Sequence, residues 1–389
     1  MKKIVATQYK YNERNTMMID WYIGKRCNFS CSYCADFIHD NYSSHVPFEK
    51  MKIFVDKIVE RYGTNIHWSL TGGEPTLNPD FLNLLEYLQD KKYHISVCTN
   101  GSRSLDYLYK MYELVDNVTY SMHFEHITPR LEEYTKKALK LEQWRKDWNA
   151  SHSDLGWELG ETQPKQFIAR FMVLPGFNDE IAKLTEKFKQ AKIERIEHRV
   201  IRPQNEFFVE ENKVQNSDGS FKWKIKKPKT DITDKTKVAP DSSNRDDFTV
   251  VLEREERWYS ETDHNLLKNL YNEVKPERKW LTGYFIDNDG NITTEDMHYN
   301  SLNYENKTNF KGWICYAGVT LLKVAPNGDI FIGNCFQGGP LANIYTLDND
   351  SVLPDGPVVC EKNRCTDPMD LRQSKYLDKY YEIIVKENK

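Results

Sequence analysis

Two rhythms of apolar and polar positions alternate along the first half of the chain. Residues 17–23 form an apolar run with the length of a strand. Pro47 is suited to the first position of a helix, and Met51, Phe54, Val55, Ile58, Val59 and Tyr62 then recur with a helical period. A strand ending at Leu70 follows, then a helix over 80–90 with Phe81, Leu84, Leu85 and Leu88 on one face. The same alternation predicts strand 94–99 and helix 105–114, strand 118–124 and helix 130–148, strand 166–174 and a helix from near Asp179, and strand 195–201. Strands alternating with helices imply a parallel sheet. About six such units predict an α/β fold, an open partial (βα)6 barrel over residues 1–202.

Past residue 202 the pattern dissolves. The run 222–229 is basic and 241–247 is polar and turn-rich, so 203–280 reads as a solvated connector or insertion ending in a helix. Phe207, Phe208, Phe221 and Trp223 are what supports the alternative, a substrate-gripping loop. A second long connection, 150–165, carries Gly156, Trp157 and Gly160 and is expected to cover the barrel mouth. From 281 onward the chain turns to strand, tight turn, strand. Asp289-Gly290 and Asn327-Gly328 are strong hairpin signals, so 281–389 reads as a β-hairpin-rich unit.

Composition narrows the function classes. A chain of 389 residues suggests two or three domains. A net charge of −4 and a pI near 6.2 argue against nucleic acid as a partner. No apolar run reaches the ~18–20 residues of a membrane span, and the first residues lack the apolar segment of a signal peptide. Eight cysteines in such a chain point to metal or redox chemistry in the cytoplasm, rather than to a disulfide framework.

Three of those cysteines fall in Cys27-Asn-Phe-Ser-Cys31-Ser-Tyr33-Cys34. Three thiolates so close together can hold three corners of an iron–sulfur cube and leave the fourth iron open to a small molecule. Zinc is the alternative for short-spaced cysteines. Downstream stands Ser69-Leu-Thr-Gly72-Gly73-Glu74-Pro75-Thr76, at the end of the next strand. Paired glycines permit close backbone approach, and a carboxylate beside them can accept from an ammonium group. Alone this is an ordinary turn; one βα unit after the cysteine loop it is much more specific. Working residues of such barrels sit at the C-terminal ends of strands, so the two motifs face one mouth.

The pair of motifs, with Tyr33 just before the last cysteine, resembles the radical S-adenosylmethionine (radical SAM) superfamily. The resemblance implies a [4Fe–4S] cluster on Cys27, Cys31 and Cys34 whose open iron is chelated by S-adenosylmethionine. An electron from the reduced cluster, supplied by a donor such as flavodoxin or ferredoxin, would break the sulfonium C–S bond. The 5′-deoxyadenosyl radical would then take a hydrogen atom from the substrate. By the same resemblance Tyr33, Gly72, Gly73 and Glu74 bind the cofactor, Glu74 through its amino group. Ser121 looks like a serine that contacts it, and Arg170 like an arginine directed at its carboxylate. Asn100, in Thr99-Asn100-Gly101, belongs to the same edge, with a plain turn as an equal alternative. Strand alternation puts Thr119, Ser121 and His123 on one face. His123, nearest the mouth, is a candidate for contacting substrate or moving a proton, against the weightier alternative of a histidine hydrogen-bonded inside the barrel. Cys98 reads as a small buried hydrophobe, not a ligand.

The remaining four cysteines, Cys315, Cys335, Cys360 and Cys365, surround the second hairpin and suffice for one further cluster. Cys315-Tyr-Ala-Gly318, then Asn327-Gly328, then Cys335, resembles the SPASM/twitch extensions of radical SAM enzymes. It is closer to twitch, because a full SPASM set has more cysteines. A structural zinc is the alternative for these four thiols. Relatives with such extensions modify peptides and proteins, or oxidise and rearrange small molecules such as amino sugars. A peptide or protein residue is the expected substrate, although the sixteen residues before the first predicted strand leave no room for an N-terminal peptide-recognition domain. The rival from another class is a non-catalytic zinc protein.

Overall fold

The computed structural model describes residues 2–10, 16–31, 33–34, 38–152, 164–174, 176–193, 195–200, 213–215, 221–223, 265–266, 269, 279–304, 307–347, 353–354, 356–363, 365 and 367–387. The connection carrying Gly156, Trp157 and Gly160, and Phe207 and Phe208 of the connector, lie outside them.

The βα repeat is present as expected. Strands β2 (Met17–Tyr22), β3 (Ile66–Thr71), β4 (His94–Thr99), β5 (Asn117–His123), β6 (Gln166–Val173) and β7 (Arg195–Val200) run parallel and in that order. Between them lie α1 (Phe48–Tyr62), α2 (Phe81–Asp90), α3 (Leu105–Glu113), α4 (Leu131–Ser151) and α5 (Asn178–Gln190). Pro47 stands one position before α1 rather than inside it, with extended dihedrals that suit a helix entrance.

Alternation within each strand separates two faces. Trp21, Trp68, Leu70, Val97, Tyr120 and Phe171 point to the helices and are fully or almost fully buried there. They meet helix side chains edge-on, as Trp21 meets Phe54 with ring centroids 4.8 Å apart. The opposite, helix-free face is polar: Asp20, Ser69, Ser96, Cys98, Thr119, Ser121, His123, Arg170 and Glu197 fall on it by register.

Two departures from the sequence reading concern long-range pairing. Strand β1 (Lys3–Tyr9) precedes the run taken as first. It pairs with β8 (Leu281–Ile286), which in turn pairs with β9 (Ile292–Met297). The order of this antiparallel sheet is completed by β10 (Trp313–Cys315), β14 (Val358–Val359) and β15 (Lys375–Leu377). Conversely, β11 (Leu321–Val324) lies parallel to β2 as a seventh parallel strand, and its hairpin partner β12 (Asp329–Phe331) and then β13 (Ala342–Asn343) extend that sheet. Both expected hairpins are formed, but the second is built into the barrel sheet. A buried ion pair marks the junction: Lys323 Nζ is 2.7 Å from Asp20 Oδ2 and 3.2 Å from the Tyr22 ring centroid. Among the described residues no helix is long and apolar enough to cross a membrane.

Candidate cluster and cofactor site

The cysteine loop leaves β2 through Ile23, Gly24, Lys25 and Arg26, and the Gly-Gly turn leaves β3 beside it. Backbone hydrogen bonds join them: Gly73 N–H donates to Gly24 O and Glu74 N–H to Arg26 O, each at 2.9 Å. A methyl group on Gly73 would stand 2.2 Å from Lys25 O, and one on Gly72, where φ is +147°, would stand 2.7 Å from Gly24 O. The glycines are therefore required by the cysteine loop itself. The sequence reading had them approach a ligand; here they approach the backbone that delivers Cys27.

Glu74 locks the next strand end onto the same unit. Its carboxylate is 3% exposed. Oε1 accepts from the Thr76 hydroxyl (2.6 Å), Thr76 N–H (3.2 Å) and the Thr99 hydroxyl (2.7 Å), and Oε2 accepts from Asn100 N–H (2.6 Å). Burial raises its pKa, against the pull of these donors. Oε2 retains room for a further donor. Asn100 passes the connection on, its amide donating to Asn28 Oδ1 at 3.0 Å and lying 3.9 Å from Cys27 Sγ. Asn100 is thus more than a turn residue, since it holds the loop that carries the first cysteine.

Cys27 and Cys31 are buried and Cys34 half-buried. Burial pushes the Cys27 thiol up to about 12. The Cys31 thiol is also raised, first by its hydrogen bond with the Cys34 thiol and then by burial. Such thiols stay protonated unless a metal stabilises the thiolate. Cys27 N–H is fixed by Asp40 O at 2.7 Å, and Cys27 Sγ accepts from Phe29 N–H at 3.4 Å.

His123 ends β5 beside this loop. Burial, with help from His126 and Arg170, pushes its pKa down to about 3, so the ring is neutral. Its Nδ1 shares a hydrogen bond with the Tyr33 hydroxyl at 2.6 Å and lies 3.5 Å from Cys31 Sγ, and the Tyr33 and His123 rings lie parallel with centroids 6.1 Å apart. Ser121, two residues earlier on the strand, is in register with Arg170 on β6, and Arg170 with Glu197 on β7. Arg170 donates from Nε to Glu197 Oε2 at 3.0 Å, and Arg195 Nη2 is 2.6 Å from Glu197 Oε1. Burial alone would raise the Glu197 pKa, but the two guanidinium groups overcome it and hold the carboxyl at about 2. Sequence reasoning missed Glu197, whose signal was only its place on a strand two residues after Arg195. Arg170 Nη1 also reaches Cys98 Sγ at 3.7 Å, so Cys98 packs against a cation rather than purely among hydrophobes.

The second cysteine group also converges. Cys315 ends β10 opposite Lys375 on β15, and Cys360 directly follows β14. Cys315, Cys360 and Cys365 share one buried cluster with Trp313, Phe310 and Leu371. Cys335 is close enough to feel the charges of Cys315 and Cys360. Burial raises all four thiols, while Lys375 pulls Cys315, Cys360 and Cys365 the other way. Lys375, 1% exposed, is a buried cation that sequence reasoning did not single out. Its amine donates to the backbone oxygens of Asp370 and, at 3.0 Å, Gln373. Among the described residues no three His, Cys, Asp or Glu side chains close on a single-ion geometry.

A family model described as the Radical SAM superfamily matches residues 21–188, which span the cysteine loop, the Gly-Gly-Glu turn, Ser121 and Arg170. The chain is similar to an S-adenosylmethionine-dependent nucleotide dehydratase of Selenomonas ruminantium, 30% identical over 88 residues, 23% of this chain and 31% of the relative. It is similar to a probable GTP 3′,8-cyclase of Sulfurisphaera tokodaii, 36% identical over 99 residues, 25% of this chain and 31% of the relative. The matched stretch therefore spans about a third of these curated relatives. Among solved structures, anSMEcpe with bound AdoMet is similar at a TM-score of 0.45 and 15% identity, covering 85% of this chain and 78% of that one. Residues 21–188, which carry the joined cysteine and Gly-Gly-Glu motifs, thus match the radical SAM superfamily, whose cofactors are a [4Fe–4S] cluster and S-adenosylmethionine.

Proposed function

We propose that this enzyme reductively cleaves S-adenosylmethionine and abstracts a hydrogen atom from its substrate. The supporting observation is the backbone pairing of Gly73 and Glu74 with Gly24 and Arg26, which makes one unit of the two motifs. The thiols of Cys27, Cys31 and Cys34 fit three irons of a cluster, being held close together on one short loop. The bound cluster and cofactor supply the radical, and the chain positions and shields them. Glu74 Oε2 is suited to accept from the cofactor's ammonium group, and Asn100 holds Cys27 in place. Tyr33 and His123 wall the site. Because His123 Nδ1 is already hydrogen-bonded to Tyr33, its arrangement supports a positioning role better than proton transfer. Ser121 and Arg170 form the row beneath, where Glu197 orients the Arg170 guanidinium.

Cys315, Cys335, Cys360 and Cys365 fit an auxiliary iron–sulfur cluster, with Lys375 as a counter-charge to its thiolates. With four protein ligands that cluster would transfer electrons or brace the second sheet. A flavodoxin- or ferredoxin-type donor and a cytoplasmic setting accord with such chemistry. Hydrogen abstraction from a peptide or protein residue is our first reading of the substrate. A small molecule is the second, favoured by the names of the two sequence relatives, which concern nucleotides. Anaerobic incubation of reconstituted protein with dithionite and S-adenosylmethionine should release 5′-deoxyadenosine. With deuterated candidates of each class, the true substrate passes its label to that product. Absence of 5′-deoxyadenosine from protein shown to contain its clusters would falsify the reading.

A further inference from the structure

The helix-free face carries more positive charge than its own residues neutralise. Glu197 is bound by both Arg170 and Arg195. A third guanidinium, that of Arg372 at the end of the short helix Pro368–Arg372, is close enough to feel the Glu197 charge, yet forms no ion pair among the described residues. The rings of Trp280 and Tyr299 each lie 4.8 Å from its central carbon. Its Nη2 donates to the Tyr299 hydroxyl at 3.3 Å, its Nη1 reaches only the Met369 sulfur at 3.9 Å, and its buried Nε has no hydrogen-bond partner among the described residues. The Trp280 ring also lies 6.0 Å from the Arg195 guanidinium carbon, so both arginines approach one aromatic side chain.

Among the described residues, three guanidinium groups around one carboxylate leave a local excess of two positive charges, in a chain whose net charge is −4. A buried cation without a counter-ion is costly, and a buried N–H without an acceptor adds to that cost. Aromatic faces stabilise a guanidinium through its plane, and the unpartnered Nε–H of Arg372 lies on the edge with which a guanidinium grips an oxyanion. The neighbouring histidines do not add to the charge. Burial, together with Arg372, drives His67 well below its ordinary pKa and His298 to about 4.

We propose that Arg372 and Arg195, clamped by Trp280 and Tyr299, form a subsite for an oxyanion group of the substrate, a phosphate or a carboxylate. This rests on the proposed function above, with the substrate lying against the face that carries Ser121, Arg170 and Glu197. Glu197 lies in the same row as Ser121, two residues short of His123 in strand register. An anion held there leaves the rest of the molecule to extend toward the cluster end. The second reading of the substrate, a small molecule, is thereby given a chemical handle.

The test is calorimetric titration of the reconstituted full-length protein with inorganic triphosphate in one arm and glutarate in the other. Saturable binding of one anion, weakened roughly tenfold or more in both Arg372→Gln and Arg195→Gln, is expected. The arm that responds distinguishes phosphate from carboxylate. Arg195 lies on a barrel strand and Arg372 on a separate segment, so a folding defect in one variant leaves the other informative. Circular dichroism identifies any such defect. No saturable binding of either anion by the wild type, or unchanged affinity in the folded variants, would overturn the subsite. Release of 5′-deoxyadenosine by the same wild-type preparation tests the underlying radical reading separately.

Discussion

A single methyl group added at Gly73 would collide with backbone rather than with a movable side chain, so the strain falls on the cysteine loop. Gly73→Ala is expected to cost about 2 kcal/mol or more in denaturant unfolding and to lower the iron bound after reconstitution. Normal iron content in this variant would show that the contact does not position Cys27. Glu197 offers a second test, through pH. Its folded pKa, about 2, lies below the ordinary value of 4.5, so its ion pairs stabilise the fold above that value. The contribution is lost as the pH falls from about 4.5 toward 2. Glu197→Gln should be less stable than wild type at pH 7, by on the order of 1–2 kcal/mol after allowance for partial exposure. The gap should close in acid, and urea unfolding across that range checks it. At this scale the sequence made Cys27, Glu74 and Asn100 visible, because motif spacing is local. Glu197, Lys375 and Arg372 were not, because their meaning comes from partners brought by other strands.

Among the elements, β2 to β7 were legible because each strand and helix carries its own period and its own apolar face. Strand β1 was not, because its partners β8 and β15 are supplied by the far end of the chain. The hairpin around Asn327-Gly328 was legible as a turn, but nothing local says that β11 docks beside β2. What fixes that docking is visible in the side chains: Lys323 of β11 reaches Asp20 of β2, and Asn334 Nδ2 reaches the same carboxylate at 3.3 Å. Breaking one partner of a buried pair strands the other charge. Lys323→Met should therefore destabilise the protein by about 3 kcal/mol. The double variant Asp20→Asn with Lys323→Met should recover part of the loss. Additive losses in a double-mutant cycle would mean that the pair does not hold the two strands together.

At the scale of the whole molecule, two groups of cysteines lie on two sheets that share the chain in an interleaved way. β1 belongs to the sheet of Cys315, and β11 to the sheet that delivers Cys27. Asn334, beside Cys335 in sequence, bridges from β2 to the short helix Pro368–Arg372, its side chain on Asp20 and its N–H on Asp370 at 2.9 Å. Fully reconstituted protein should hold about eight irons per chain, and Cys360→Ala about four, with the first site intact. Zinc in place of the second set of irons would contradict the auxiliary cluster without touching the first.

The central claim is that Cys27, Cys31 and Cys34 hold a cluster that splits S-adenosylmethionine. Quantifying 5′-deoxyadenosine by mass spectrometry, after anaerobic reduction of wild type and of each single alanine variant at these three positions, tests it most directly. The account predicts product from the wild type and background levels from all three variants. Wild-type yield from any one of them would contradict it.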